Sequence, residues 1–332
     1  MNWDDSEIFP MSNGQWETLD RHEAITYGEE EAKNLSKKWF PLNNTLYSSP
    51  SSKRFTLAIC VPEIGRNVHK LFARKFPVYI YIPALFLVLV TSLSLYHDNF
   101  RAFSKIHIFL LIFLGYSSFE YQYFVKPYAR LRDHALFFYW ARSEKNPLLK
   151  IFMLLAVTSG LAQLVSLFFI SDVEILVSRF GLHYQKANDG EWWRYLVGPF
   201  IHKDFIHWLT NIALLTIAST LVGPLSRFSL IFYFLLILIL SSFAAQFSLV
   251  GVSPEGFVGI SGGVFGILGW AIGNSYRDRE RLPSGYCLHL LVFSCANIAL
   301  PFALNTNSSS VSHLTGLAMG AFFGVIGLAR KK

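Results

Sequence analysis

The sequence contains few charged residues and very few cysteines. Only 15% of its 332 residues are charged and 52% are hydrophobic, whereas about a quarter of an average soluble chain is charged. The three cysteines, Cys60, Cys287 and Cys295, are scattered, so the chain shows neither a disulfide framework nor the spacing of a cysteine-ligated zinc site. This composition excludes a disulfide-stapled secreted domain and indicates a membrane protein.

Apolar runs long enough to cross a bilayer recur along the chain. A membrane-spanning helix needs roughly 20 apolar residues. Eight segments meet or approach that length: 77–96, 106–122, 149–170, 205–223, 228–247, 259–274, 286–304 and 312–329. The sequence therefore predicts an all-α polytopic membrane protein.

Lys and Arg are concentrated in short segments between these apolar runs. The net charge of +7 therefore indicates membrane topology rather than a nucleic-acid surface. With eight spans the basic segments fall on one side, so we expect both termini to be cytoplasmic, in a bacterial inner membrane. The apolar segment 135–140, between Arg132 and Arg142, is expected to lie along the membrane surface.

The chain divides by composition into three parts. Residues 1–70 are polar, and their first 31 residues hold nine acids and one base, so we expect a small, partly disordered cytoplasmic region. Within it, the Ser- and Pro-containing segment 47–52 predicts a linker or turn, and 55–61 predicts a short strand. Residues 71–147 hold two spans with a basic connection, and 148–332 hold the remaining six spans.

A cluster of polar residues precedes the fourth span. His207 and Asn211 are four residues apart, so a helix places them on one face, where two donors can point at one oxyanion. His202 cannot share that face and is expected in the preceding loop as a structural hydrogen-bonding group. Both histidines have an equally ordinary interpretation as satisfied core groups. A zinc site is disfavoured, because there is no His-Glu-x-x-His motif and a spacing of five does not suit two ligands on one helix.

Two further polar residues begin separate apolar spans. Ser261 opens the sixth span and His313 the eighth, and an ionisable group at membrane depth is a functional-site hypothesis by default. A hydroxyl and an imidazole form a nucleophile–base pair. Small residues around Ser261 also suit ordinary helix packing. However, the glycines that follow His313 form one helical stripe that would bring the two spans within hydrogen-bonding reach, and Phe265 would then pack on the imidazole.

These residues occur in a specific order. The set Trp193-Arg194, His202-x4-His207-x3-Asn211, Gly259-x-Ser261-Gly262 and His313-x2-Gly316-x3-Gly320 resembles the rhomboid family of intramembrane serine proteases. The resemblance covers roughly 148–330. It implies a six-helix core, preceded in this chain by about two extra transmembrane helices.

The resemblance also implies roles for individual residues. Ser261 would be the nucleophile and His313 the general base, without an acidic third member. His207, Asn211 and the backbone N–H of Ser261 would form the oxyanion hole. The remaining motif residues would be structural or adjacent to substrate: Trp193, Arg194, His202, Gly259, Phe265, Gly316 and Gly320. Val197 and Phe265 depart from the Thr and Tyr that are common at these positions in the family.

The expected activity is hydrolysis of peptide bonds in or near transmembrane segments of other membrane proteins. The resemblance implies no metal and no organic cofactor, and the expected partners are the substrate proteins and the lipid bilayer, without nucleic acid. One alternative is a non-proteolytic protein of the same fold that binds membrane clients. A small-molecule transporter would instead require two repeated halves with broken spans, and the sequence has no such repeat.

Overall fold

The computed structural model describes residues 46–48, 55–57, 65–96, 100–143, 146–170, 172–247, 256–279, 282–303 and 310–330. The chain forms two compact units. Unit 1 comprises Met1–Ser143 and Glu280–Tyr286, and unit 2 comprises Glu144–Arg279 and Cys287–Lys332.

Unit 1 contains a strand pair and four α-helices within its described residues. Strands β1 (Leu46–Ser48) and β2 (Phe55–Leu57) are antiparallel. The helical elements are α1 (Gly65–Lys75), α2 (Val78–Tyr96), α3 (Phe100–Glu120), a π-helical turn (Tyr121–Val125) and α4 (Tyr128–Ser143). Helices α2 and α3 pack against each other, and the hydroxyl of Thr91 on α2 lies 3.1 Å from Nε2 of His107 on α3.

Two expectations for unit 1 need correction. The predicted linker 47–52 begins inside strand β1, because Tyr47 pairs with Thr56 of β2. The strand predicted within 55–61 is present at 55–57, and the rest of 1–64, including the expected disorder, lies outside the described residues. The segment 135–140 belongs to α4, where Phe137 is fully buried and its ring lies 4.7 Å from that of Tyr286. The apolar side chains of Ala135, Leu136 and Phe137 are therefore covered by protein.

Unit 2 contains most of the helices. They are α5 (Pro147–Ile170), α6 (Val173–Phe180), α7 (Tyr184–Asn188), α8 (Arg194–Val197), α9 (Phe205–Val222), α10 (Leu230–Ala245), α11 (Ser261–Arg277), α12 (Tyr286–Ala303, whose first residue belongs to unit 1) and α13 (Ser310–Ile326). Two short strands, β3 (Leu182–His183) and β4 (Gly256–Phe257), pair antiparallel. Between α5 and α9, residues 172–200 are therefore mostly short helices and a strand.

The polytopic all-α prediction is confirmed by the lengths and composition of the helices. Within the described residues, four helical segments are long and apolar enough to cross a membrane: Gly65–Tyr96, which comprises α1 and α2, and Ser104–Val125, Pro147–Ile170 and Phe205–Val222. Shorter apolar helices are Leu230–Ala245, Tyr286–Ala299 and Ser310–Ile326. Helix α11 is rich in glycine and mostly buried by other helices, so it does not need an apolar surface towards lipid.

Helices α11 and α13 pack at backbone distance. A Cβ atom at Gly316 would collide with the carbonyl oxygen of Gly262, and one at Gly320 would collide with that of Gly266. Small residues allow this close approach between membrane helices. The glycine stripe predicted on α13 therefore forms the contact with the helix that begins at Ser261.

Candidate functional site

Ser261 and His313 lie within hydrogen-bonding distance. Nε2 of His313 is 2.7 Å from Oγ of Ser261. Ser261 is the first residue of α11 and His313 lies in the first turn of α13, so the two helices present their amino-terminal ends side by side. Two residues separated by 52 positions are thus joined because α11 and α13 pack in parallel through their glycines.

The imidazole of His313 is enclosed by protein. It is 4% exposed, and the ring of Phe265 stacks on it with centroids 4.5 Å apart and planes inclined by 29°. Phe265 itself is 2% exposed. Because Phe265 is one turn after Ser261 on the same helix, the stacking also fixes the imidazole relative to the hydroxyl. The interaction needs only the aromatic ring, which Phe provides as well as Tyr.

His207 and Asn211 lie on one face of α9, next to the segment that leads to Ser261. Asp204 caps this helix by accepting a hydrogen bond from the backbone N–H of His207 at 2.7 Å, and Nδ2 of Asn211 donates to the carbonyl of His207 at 3.0 Å. Gly259 has φ of +106°, and a Cβ there would come 2.7 Å from Cε1 of His207 and 3.5 Å from Nδ2 of Asn211. A residue with a side chain would therefore separate this face from the approach to Ser261.

His202 is buried just before α9 and is held through its backbone. Its N–H donates to Oε1 of Gln163 at 2.9 Å, and Nε2 of Gln163 donates to its carbonyl at 2.6 Å. Its ring lies 5.3 Å from the ring of His207. Burial and the neighbouring His207 lower the pKa of His202 to about 4, although the carbonyl of Phe200 and the carboxylate of Asp204 oppose this shift. His202 is therefore a neutral group at ordinary pH.

Arg194 forms contacts with other residues of the segment that precedes α9. Its side chain is buried, and its guanidinium lies 2.6 Å from Oε2 of Glu191 and donates to the carbonyl of Gly181 at 2.7 Å. The guanidinium also lies over the ring of Trp193, at 4.6 Å from its centroid, a cation–π arrangement. The buried charge is thus compensated by a carboxylate, a carbonyl and an aromatic ring.

The strand pair β3–β4 connects this segment to the approach to Ser261. Leu182 pairs with Phe257 and His183 pairs with Gly256. Gly256 has φ of +139°, and a Cβ there would collide with the carbonyl oxygen of Leu182. The contact therefore requires glycine at this position. Through it, the segment that Arg194 organises meets the chain a few residues before Ser261.

Several contact residues were not predicted from the sequence. Gln163, Glu191 and Asp204 each form a hydrogen bond or ion pair with one of the predicted site residues. None of the three belongs to a sequence motif that would indicate such a contact. An amide in the middle of an apolar span is the one feature that marks Gln163 in advance. Within the described residues, no group of three or more His, Cys, Asp and Glu is arranged to hold a metal ion.

Comparison with known proteins identifies this part of the chain. Residues 189–330 match the family model described as the Rhomboid domain. Residues 189–330 form a rhomboid domain. All the predicted site residues lie inside it, from Trp193 to Gly320, and the resemblance to the rhomboid family is confirmed. Unit 1 up to Ser143, helix α5 and the segment up to residue 188 precede the matched range.

A curated relative supports the same assignment for the rhomboid domain. The chain is 26% identical over 152 residues to the Rhomboid protease GlpG of Haemophilus influenzae, an alignment that covers 44% of this chain and 76% of the relative. Together with its apolar helices, the rhomboid domain makes this chain an integral, multi-pass membrane protein.

Proposed function

We propose that the rhomboid domain is an intramembrane serine endopeptidase that cleaves transmembrane segments of other membrane proteins. The observation that carries this proposal is the 2.7 Å contact between Nε2 of His313 and Oγ of Ser261. A nucleophile and a base within hydrogen-bonding reach are the minimum requirement for covalent acyl transfer. The placement of the pair among membrane helices, with His313 buried and Ser261 partly exposed, directs that chemistry towards substrates in the bilayer.

In the first step, His313 accepts the proton of Ser261 as Oγ attacks the scissile carbonyl carbon. The carbon becomes tetrahedral and its oxygen becomes an oxyanion. The backbone N–H of Ser261 is in the first turn of α11, where N–H groups have no partner within the helix. This N–H, with His207 and Asn211 beside Gly259, forms the oxyanion hole that stabilises the charge.

In the second step, the intermediate collapses and the peptide C–N bond breaks. His313 returns its proton to the leaving amine, and the acyl group remains on Oγ of Ser261 as an ester. Water then attacks this ester with His313 again as the base, which releases the carboxylate product and restores the serine. Each proton leaves and returns through Nε2, so the dyad completes the cycle without a net change.

The substrate must lose its helical structure near the cleavage site. A transmembrane helix keeps its carbonyl groups in internal hydrogen bonds, so the scissile carbonyl reaches Ser261 only after local unwinding. Small or helix-destabilising residues near the cut are therefore expected.

The extra spans of residues 71–147 precede a catalytic core at 148–332, and the division of the chain after Ser143 supports that boundary. The distribution of basic segments favours cytoplasmic termini, and we assign the protein to a bacterial inner membrane.

The proposal is tested with purified full-length protein and a reporter that contains a transmembrane segment. Wild type is compared with Ser261→Ala and His313→Ala, each expected to lose at least about a thousandfold in cleavage rate. Ser166→Ala is the matched control, because this hydroxyl bonds only to the carbonyl of Ala162 in its own helix. Equal cleavage by wild type and Ser261→Ala would show that the dyad is not catalytic.

A serine-directed fluorophosphonate probe separates the competing functions. The probe is expected to label wild type and Ser166→Ala but not Ser261→Ala, because labelling requires an activated hydroxyl. If no protein cleaves the reporter and none is labelled, the non-proteolytic client-binding function replaces the protease. Labelling of Ser261→Ala at the wild-type level would place the nucleophile elsewhere.

A further inference from the structure

One face of α1 carries a row of basic side chains. Arg66, Lys70 and Arg74 are all exposed and are spaced by four residues, so they lie on one side of the helix. They extend over about 12 Å of its length. We call these three residues the basic stripe.

Other side chains of α1 are fixed against unit 1. Nε2 of His69 lies 2.9 Å from the carbonyl oxygen of Val125, and its ring lies 5.4 Å from the ring of Tyr128. Immediately after the helix, Phe76 stacks on Tyr121 at 5.9 Å. These contacts hold α1 against the π-helical turn, and they leave the basic stripe on the outer side.

The described residues of unit 1 supply little negative charge for the stripe. Their acidic residues are Glu120, whose carboxylate hydrogen-bonds to Tyr116, and Asp133, which pairs with Arg132 at 3.0 Å. Like charges four residues apart on a helix destabilise each other. The basic stripe therefore retains a concentrated positive charge that an external anion would stabilise.

The stripe occupies the basic, amino-terminal part of the candidate span Gly65–Tyr96 and directly precedes its apolar part, α2. Helix α2 begins at Val78, and its large apolar side chains are exposed from that residue onward, with Val78 at 49% and Tyr81 at 69%, as expected where lipid replaces water. Arg74 precedes Val78 by four residues, about 6 Å of helix, which is similar to the thickness of the headgroup layer. Membrane topology requires only basic residues on this side; it does not require them to share one exposed face.

We propose that the basic stripe of α1 binds the phosphate groups of anionic lipids at the membrane surface. Lipid is favoured over other anions because the stripe directly precedes the first span and is held there by the contacts of His69 and Phe76. Each basic residue near a membrane surface strengthens the attraction for anionic lipid about fivefold. The three residues together therefore select anionic over zwitterionic headgroups.

The test measures lipid binding to the full-length protein in a neutral detergent. Native mass spectrometry follows titrations with phosphatidylglycerol, with phosphatidylcholine and with inorganic phosphate. The variant Arg66→Gln/Lys70→Gln/Arg74→Gln removes the stripe, and Lys105→Gln/Arg179→Gln/Lys186→Gln removes the same charge from exposed but scattered positions. Wild type and the scattered variant are expected to prefer phosphatidylglycerol, whereas the stripe variant is expected to lose at least tenfold in its affinity.

Three results would overturn the proposal. The first is an unchanged affinity for phosphatidylglycerol in the stripe variant. The second is competition by inorganic phosphate at millimolar concentration, which would make the stripe a site for free phosphate. The third is a wild type without lipid preference that gains one when the nine acids of residues 1–31 are replaced by amides. That result would assign the stripe to the acidic amino-terminal segment of the same chain. Because catalysis is not measured, failure of the proposed protease function leaves this test unaffected.

Discussion

The side-chain amide of Gln163 pairs with both backbone groups of His202. It accepts from the N–H at 2.9 Å and donates to the carbonyl at 2.6 Å, as a neighbouring strand would. The chain is thereby fixed to α5 just before α9 begins. A second bond supports this attachment, since Nε1 of Trp208 on α9 donates to the carbonyl of Ala156 on α5 at 3.3 Å. The orientation of His207 and Asn211 therefore depends on a helix that contributes no residue to the proposed oxyanion hole.

We predict that Gln163→Leu lowers the rate of cleavage more than it weakens substrate binding. The substitution leaves a buried N–H and carbonyl of His202 unpaired, at a cost of roughly 1–3 kcal/mol each, and the start of α9 becomes free to shift. Steady-state kinetics should show kcat reduced about tenfold or more, with KM nearly unchanged. Thr158→Val on the same helix is the control, because Thr158 bonds only within α5. An unchanged kcat for Gln163→Leu would mean that α9 keeps its position without this contact.

The close packing of α11 against α13 gives a prediction about glycine. Gly320→Ala would place a methyl group against the carbonyl oxygen of Gly266, so the helices must separate. Overpacking of this kind costs about 1–3 kcal/mol, and the separation lengthens the distance between Ser261 and His313. We expect a lower melting temperature together with a large loss of activity.

Gly115→Ala is the matched control for that substitution. Gly115 lies in helix α3, and a Cβ there would meet no atom within 4 Å. Alanine is favoured over glycine in helices by about 1 kcal/mol, so this variant should be as stable as wild type or slightly more stable. If both alanine variants behaved alike in thermal unfolding, the backbone contact of α13 with α11 would not control the stability.

The sequence predicted helices and their order better than it predicted the contacts between them. Ser261 and His313 stood out because each is polar at the start of an apolar span, and the spacing of glycines after His313 indicated a close helix contact. Strands β3 and β4 have only two residues each, too few for any alternation of apolar and polar residues. Gln163 acts on a residue 39 positions away, and such a pairing depends on the fold and not on local spacing.

Arg194 provides a prediction about the segment before α9. Arg194→Lys keeps the charge, but an ammonium cannot reproduce the planar arrangement that reaches Glu191 and the carbonyl of Gly181 together. We expect a loss of about 2 kcal/mol in the free energy of unfolding, since one buried acceptor remains unpaired. Glu191→Gln should cost less, because the side chain of Glu191 is 45% exposed and water replaces part of its interaction. Thermal unfolding in detergent measures the stability of both variants. Equal effects of the two would contradict the role assigned to the planar guanidinium of Arg194.

The buried imidazole of His202 predicts how stability depends on pH. Its pKa is about 4 in the folded protein and about 6.5 in an unfolded chain. Between these values the unfolded chain binds the proton and the folded protein does not, so acidification from pH 6.5 to 4 favours unfolding, by roughly 3 kcal/mol in total. Above pH 6.5 the group is neutral in both states and contributes no pH dependence. Burial also lowers the pKa of His134 to about 4, so His134 adds a similar dependence of stability on pH. The contribution of His202 is therefore obtained by comparing wild type with His202→Asn. Melting temperatures measured from pH 4 to 7.5 should fall less steeply in the variant, and parallel curves would show that His202 takes up a proton without unfolding.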